Sequence, residues 1–165
     1  MRRAVCSGSF DPVTLGHVDV FERASRMFDE LIICVFRNIE KQGFFSVDER
    51  VRLIEEAVAH LPNVRVMAFS SLITDFMAQQ EAKIIVRGVR SVKDLEYEEN
   101  EAYMIKHLNP EIDTVFLLTR PDLSYVSSSG VREVFRFGGS VSGLVPACVE
   151  QAMKNKMSST DRERM

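Results

Sequence analysis

Five short runs along this chain are almost wholly apolar, at residues 3–7, 30–36, 64–69, 83–87 and 113–118. The second, Glu-Leu-Ile-Ile-Cys-Val-Phe, shows no polar alternation and is rich in β-branched residues, the pattern of a strand covered on both faces. Between the runs, apolar positions return at helical spacing, first over residues 18–28 behind a turn that contains Gly8 and Gly16. Ser46 followed by Glu49 forms a capping box ahead of a helix at 47–60, which Leu61-Pro62-Asn63 ends. Ser70-Ser71 predict the cap of a shorter helix at 72–80. Ser91 with Asp94 opens a long helix that runs to about Leu108, where Asn109-Pro110 stops it. Ser127-Ser128-Ser129 open another, closed by Gly138-Gly139, and Pro146 starts the last.

Strands alternating with helices argue for an α/β fold: a Rossmann-like, doubly wound, five-stranded parallel sheet of order 3-2-1-4-5, with C-terminal helices. The 165 residues, 45% hydrophobic and 27% charged, make one domain over residues 1–157, followed by a polar tail at 158–165 that is expected to fray. A net charge of −3 gives no basic field for nucleic acid. No apolar run approaches the roughly 20 residues that span a bilayer, and no signal-peptide core is evident, so a cytosolic protein is expected. Cys6, Cys34 and Cys148 have no CxxC spacing. They read as small buried hydrophobes in a reducing compartment.

In the 3-2-1-4-5 order the chain leaves strands one and four in opposite directions, and ligands bind at that switch point beyond the carboxyl strand ends. The segments placed there are Gly8 to His17, the loop from Arg87 to Arg90, and the serine run after strand five. Gly8 and Gly16 admit a close backbone approach, and the helix that begins near Gly16 aims free amides at the site, which suits phosphate. His17, in the first helical turn, is poorly placed to be a structural cation and reads as a neutral or ligand-facing imidazole. Arg87 and Arg90 offer guanidinium forks to phosphate oxygens. Taken singly, each has a plainer explanation: Arg87 pairs with a carboxylate at a sheet edge, Lys41 is a solvated loop lysine, and the serine run is only an N-cap. Glu96, Glu98, Glu99 and Glu101 read mostly as a solvated helix face, with one member in reach of a ribose or a metal-bound water. No His, Cys and Asp spacing resembles a tight metal site, so any metal is expected to be Mg²⁺ held mainly by substrate phosphates. Lys156-Met157-Ser158-Ser159 shares letters with the signature loop of class I aminoacyl-tRNA synthetases, but its place after the last helix makes the match coincidental.

Gly8-Ser9-Phe10-Asp11-Pro12 followed by Thr14-Leu15-Gly16-His17 resembles the (H/T)xGH signature of the nucleotidyltransferase superfamily. Ile85-Val86-Arg87-Gly88-Val89-Arg90, and Ser127-Ser128-Ser129 with Arg132-Glu133, narrow the resemblance to the bacterial phosphopantetheine adenylyltransferase branch, from the first strand to about Lys156. The resemblance implies transfer of AMP from ATP to 4′-phosphopantetheine, giving dephospho-coenzyme A and pyrophosphate, with Mg²⁺. By position, it implies that Ser9, Lys41, Ile73 and Arg87 contact phosphopantetheine. It assigns ATP to Ser9, Phe10, His17, Gly88, Val89, Arg90, Glu98 and the run Leu123, Ser124, Tyr125, Val126, Ser127, Ser128, Ser129. His17, Lys41 and Arg87 are the catalytic set, and a homohexamer with coenzyme A as feedback ligand is implied. Ser7 stands where the family usually has Pro, and Arg132 where Lys is common. The alternatives are a related nucleotidyltransferase with another phosphate acceptor, or a nucleotide-binding module without catalysis. A nicotinamide-dinucleotide dehydrogenase is disfavoured, since the first turn lacks GxGxxG.

Overall fold

The five apolar runs are the strands of one sheet. A computed structural model, which describes residues 1–37 and 43–163 and their side chains through Ser158, gives β1 Arg3–Gly8, α1 Leu15–Met27, β2 Glu30–Phe36, α2 Val47–Ala57, β3 Val64–Phe69 and α3 Ile73–Gln79. There follow β4 Ile84–Val89, α4 Val92–Leu108, β5 Asp113–Leu118, a 3₁₀ turn Pro121–Leu123, α5 Ser128–Arg136 and α6 Ala147–Glu163. Every neighbouring pair of strands is parallel, in the order β3-β2-β1-β4-β5. Alternate residues of the central strands feed two apolar layers. Ala4, Cys6, Leu31 and Ile33 face one that holds Phe21, Ile54, Val131 and Met153. Val5, Ile32, Cys34 and Ile85 face the other, with Phe76, Met77 and Ile105. Full burial of a side chain such as Phe21 stabilises the fold by about 1.5–3 kcal/mol.

Strand register is what opens the cleft. Along β2, β1 is paired through its whole length, from Arg3 opposite Glu30 to Gly8 opposite Val35. Along β4 it pairs only at Ala4 with Ile84 and Val5 with Ile85. Beyond Val5 the two central strands part, and the space between their carboxyl ends becomes the floor of a cavity.

Three expectations need correction. The helix at 72–80 is not capped by Ser70-Ser71: α3 starts after Leu72 with no side-chain cap bond, and the Ser71 hydroxyl donates to the Leu72 carbonyl instead. The fourth strand does not give way to a loop at Arg87. Gly88 and Val89 stay in the ladder opposite Leu117 and Leu118 of β5, because a residue without Cβ at 88 lets Val20 of α1 lie against the strand. A Cβ there would sit 2.8 Å from Val20 Cγ2. Lys156 falls inside α6, where its ammonium bonds the Glu49 carboxylate at 3.2 Å and lies 5.4 Å from the centre of the Phe45 ring. Among the described residues no helix is long and apolar enough to cross a membrane.

Candidate active site

The parted ends of β1 and β4 enclose a cleft of about 770 Å³. Its floor is Cys6 to Gly8 and Val86 to Gly88, one wall is the start of α1, another is the start of α4, and α5 supplies the third. Sequence-predicted residues that line it are Ser9, Phe10, His17, Arg87, Gly88, Arg90, Glu98, Val126, Ser127, Ser128 and Ser129.

His17 owes its state to a capping box. Thr14 is the N-cap of α1; its hydroxyl accepts from the His17 backbone amide at 3.3 Å, and the Thr14 amide donates to His17 Nδ1 at 3.0 Å. This is the reciprocal pattern usually made with Glu or Gln at the third helical position, here made by an imidazole. An acceptor Nδ1 carries no proton, so the neutral ring has its hydrogen on Nε2. Burial, helped by the charge of Arg90, lowers the pKa from 6.5 to about 4. The edge of Phe10, with ring centres 5.0 Å apart, and the stacked ring of Phe21 hold the imidazole in place. The result is a neutral, pre-aimed N–H donor in a polar cleft.

Arg87 bridges the split in the sheet. Its guanidinium donates to the Ser7 carbonyl at 2.6 Å, where a ladder bond between β1 and β4 would otherwise have run. It also pairs with Glu98 and Glu101 of α4, both at 3.2 Å. Burial pushes the Glu98 carboxyl up against the opposing pull of Arg87, and Glu98 Oε2 has an ionic partner without hydrogen-bond geometry. Arg90 is engaged as fully: Nε and Nη2 fork onto the two oxygens of Asp94 at 2.8 and 3.1 Å, and Nη1 donates to the Val126 carbonyl at 3.1 Å. Glu98 is therefore tied to the site, while Glu101 pairs with Arg87 from a partly exposed position outside the lining. The plain reading of Arg87, pairing with carboxylates, holds together with its place in the cleft.

The first turn is fastened from two sides. The Asp11 carboxylate accepts from the amides of Phe44 and Phe45 at 2.7 and 2.9 Å, tying it to the segment that precedes α2. Arg132 donates to the Asp11 carbonyl and the Ser128 hydroxyl to the Pro12 carbonyl, tying it to α5. Ser127 caps α5 through the Gly130 amide at 3.0 Å.

Three comparisons bear on this cleft. A family model described as cytidylyltransferase-like matches residues 5–134. The phosphopantetheine adenylyltransferase of Syntrophomonas wolfei is 49% identical over 157 residues, covering 95% of this chain and 98% of that protein. That of Shouchella clausii is 51% identical over 154 residues, covering 93% and 97%. The chain belongs to the phosphopantetheine adenylyltransferase family. Its fold recurs at far lower identity. A solved protein of Vibrio parahaemolyticus, assigned as a nicotinate-nucleotide adenylyltransferase, superposes with TM-score 0.67 over 93% of this chain and 99% of its own at 17% identity.

Some residues assigned by family resemblance lie away from the cleft lining. Val89 and Leu123 are buried in packing, Ser124 bonds the Pro121 carbonyl, and Tyr125 is exposed. Ile73 begins α3 and, like Met67 and Phe69, packs against the second apolar layer rather than lining the cleft. Lys41 lies outside the described residues. Sequence reasoning missed Thr14 as the partner of His17, although its hydroxyl three residues ahead of a helical His was a legible signal. It also missed Lys93, Asp94, Tyr97 and Thr119 in the lining. For these, nothing in periodicity distinguished a lining position from a solvated one.

Proposed function

We propose that this cleft transfers the adenylyl group of ATP to 4′-phosphopantetheine, giving dephospho-coenzyme A and pyrophosphate. The observation that carries the reading is the imidazole locked as a neutral donor between the parted strands, beside two arginines and the amide end of α1. The name shared by relatives near 50% identity over the chain favours phosphopantetheine among the possible acceptors.

The acceptor phosphate is already anionic, so no general base is needed. One of its oxygens attacks the α-phosphorus in line. The bond from that phosphorus to the bridging oxygen breaks, and the electron pair leaves with pyrophosphate. The barrier lies in aligning two polyanions and stabilising charge at the α-phosphate, which calls for positioning and electrostatics rather than covalent chemistry. His17 Nε2–H donates to an α-phosphate oxygen, and the amides at the start of α1 meet the same charge. Arg87 and Lys41 hold the acceptor phosphate, with Ser9 beside it and Ile73 further along the pantetheine arm. Phe10, Gly88, Arg90, Glu98 and the lining run Val126 to Ser129 take ATP. Cys6, on the floor, has its thiol pushed up to about 12 by burial and supplies no thiolate nucleophile.

Among the described residues no three His, Cys, Asp or Glu side chains gather as a metal cage. The nearest carboxylates, Asp94 and Glu98, are taken up by Arg90 and Arg87. Magnesium would arrive on the triphosphate as part of the substrate and would supply charge neutralisation at the phosphates that depart. Coenzyme A, which combines portions of donor and acceptor, would compete for the same space. The exposed Val92, Leu95, Met104 and Leu108 of α4 support self-association, for which the family resemblance suggests a hexamer.

Pyrophosphate release measured with ATP, Mg²⁺ and each of phosphopantetheine, nicotinate mononucleotide and glycerol phosphate tests the reading. Turnover with phosphopantetheine is expected. ATP binding without release would make the domain a nucleotide sensor, and release with another acceptor would reassign the substrate.

A further inference from the structure

Of the four guanidiniums around the first turn, two have carboxylate partners and two have none among the described residues. Arg87 and Arg90 are matched by the acids of α4. Arg132 and Arg50 instead donate to backbone carbonyls of the turn, Arg132 to Asp11 and Arg50 to Ser9. Arg50 is the more unusual case. It sits on α2 only 7% exposed, outside the cleft lining. Its Nη1 donates to the Ser9 carbonyl at 2.7 Å and its Nε to the Ser46 carbonyl at 3.4 Å. No ion pair among the described residues includes it. Asp11, the acid on the same turn, spends its carboxylate on the amides of Phe44 and Phe45.

A buried charge without a counter-ion is costly, and the cost falls when an anion enters nearby. The peptide whose carbonyl Arg50 grips carries the Phe10 amide on its other side. A cation bound to the oxygen withdraws electrons from that nitrogen and makes its N–H a stronger donor. Ser9 and Phe10 both line the cleft, and Phe10 is held at φ +45°, a conformation that a non-glycine residue keeps only when its surroundings impose it.

We propose that Arg50 is a positioning residue for the phosphates of the nucleotide: its buried charge, paired with no acid among the described residues, and its bond to the Ser9 carbonyl set the first turn to receive a polyanion. The inference rests on the adenylyl-transfer reading but is tested separately, by binding of inorganic pyrophosphate and ATP, which needs no acceptor and no turnover.

The test compares wild type with Arg50→Met and Arg50→Lys, using calorimetric affinity for magnesium pyrophosphate and magnesium ATP, KM for each substrate, and urea unfolding. Arg50→Met is expected to weaken pyrophosphate binding and raise the ATP KM by about tenfold or more, with a smaller change in the KM for phosphopantetheine. Arg50→Lys keeps the charge and is expected to bind pyrophosphate within about threefold of wild type, even where its unfolding midpoint drops. A well-folded Arg50→Met with wild-type affinity overturns the proposal. So does Arg50→Lys losing affinity as severely as Arg50→Met, since a packing role predicts that the two fall together. Should Arg50→Met not fold, Arg50→Lys decides alone: a loss of more than tenfold refutes. Wild type that binds ATP yet releases no pyrophosphate with any acceptor would defeat the adenylyl-transfer reading and leave this inference standing.

Discussion

Replacing His17 by alanine removes two things at once, and the structure says how to separate them. The first is an N–H donor aimed into the cleft. Losing one pre-organised donor to developing charge costs about 10²–10³ in turnover, or roughly 2.7–4 kcal/mol. The second is half of a capping box, because Nδ1 satisfies the Thr14 amide; losing such a cap costs about 1 kcal/mol of stability. Glutamate at the same position restores the cap, since it is a preferred partner in this box. It carries no donor and places negative charge where phosphate must sit. His17→Ala is therefore expected to lose turnover by two to three orders of magnitude and unfold at lower urea, with ATP affinity little changed. His17→Glu is expected to regain stability while its turnover falls further. Pyrophosphate release gives the rate, and urea titration gives the stability. Turnover of His17→Ala within tenfold of wild type, or turnover that recovers with stability in His17→Glu, would refute the assignment.

Further outcomes follow from the same geometry. His17 titrates at about 4 in the folded protein against 6.5 ordinarily, so between these values the unfolded chain binds more protons. Its contribution to stability is complete above about pH 6.5 and is lost as pH falls toward 4, by up to about 3 kcal/mol, a slope that His17→Ala should flatten in urea titrations at pH 7 and 5. The rate should accordingly show no His17 inflection between about pH 5.5 and 8. Gly88→Ala should destabilise by about 1–3 kcal/mol through contact with Val20, and pairing it with Val20→Ala should cost less than the sum of the two single changes. Arg87→Met should raise the acceptor KM and lower stability by about 2–4 kcal/mol, since Glu98 and the Ser7 carbonyl lose their partner. Lys41→Ala should raise the acceptor KM and lower the rate with ATP affinity retained; an equal loss of ATP binding would contradict the assignment.

What could be read from the sequence was whatever local pattern dictates. β2 begins and ends where its apolar run does, because a strand buried on both faces tolerates no polar interruption; the run at 113–118 also bounds β5, although that strand lies at the sheet edge and is only partly buried. The Ser46 and Glu49 box fixes the start of α2 for an equally local reason. Strand order followed from alternation and handed crossovers, and it brought Gly8, His17 and Arg87 to one place. Contacts that join distant segments were not legible. The Asp11 carboxylate meets amides 33 and 34 positions away, and Arg90 reaches the Val126 carbonyl 36 positions away, with nothing in periodicity to announce either. The parting of β1 from β4 after Val5 is a matter of register, which composition does not encode. Ser70-Ser71 misled because serine favours both caps and turns, and here the hydroxyl chose a carbonyl.

The central claim is that the two substrates meet in this one cleft and the adenylyl group passes between them in a single displacement, without resting on the protein. ATP carrying a sulfur of one configuration at the α-phosphorus tests it directly when the configuration of the dephospho-coenzyme A thio-product is determined. A single in-line transfer predicts inversion. Retention would mean two displacements through a covalent enzyme intermediate, and would contradict the account.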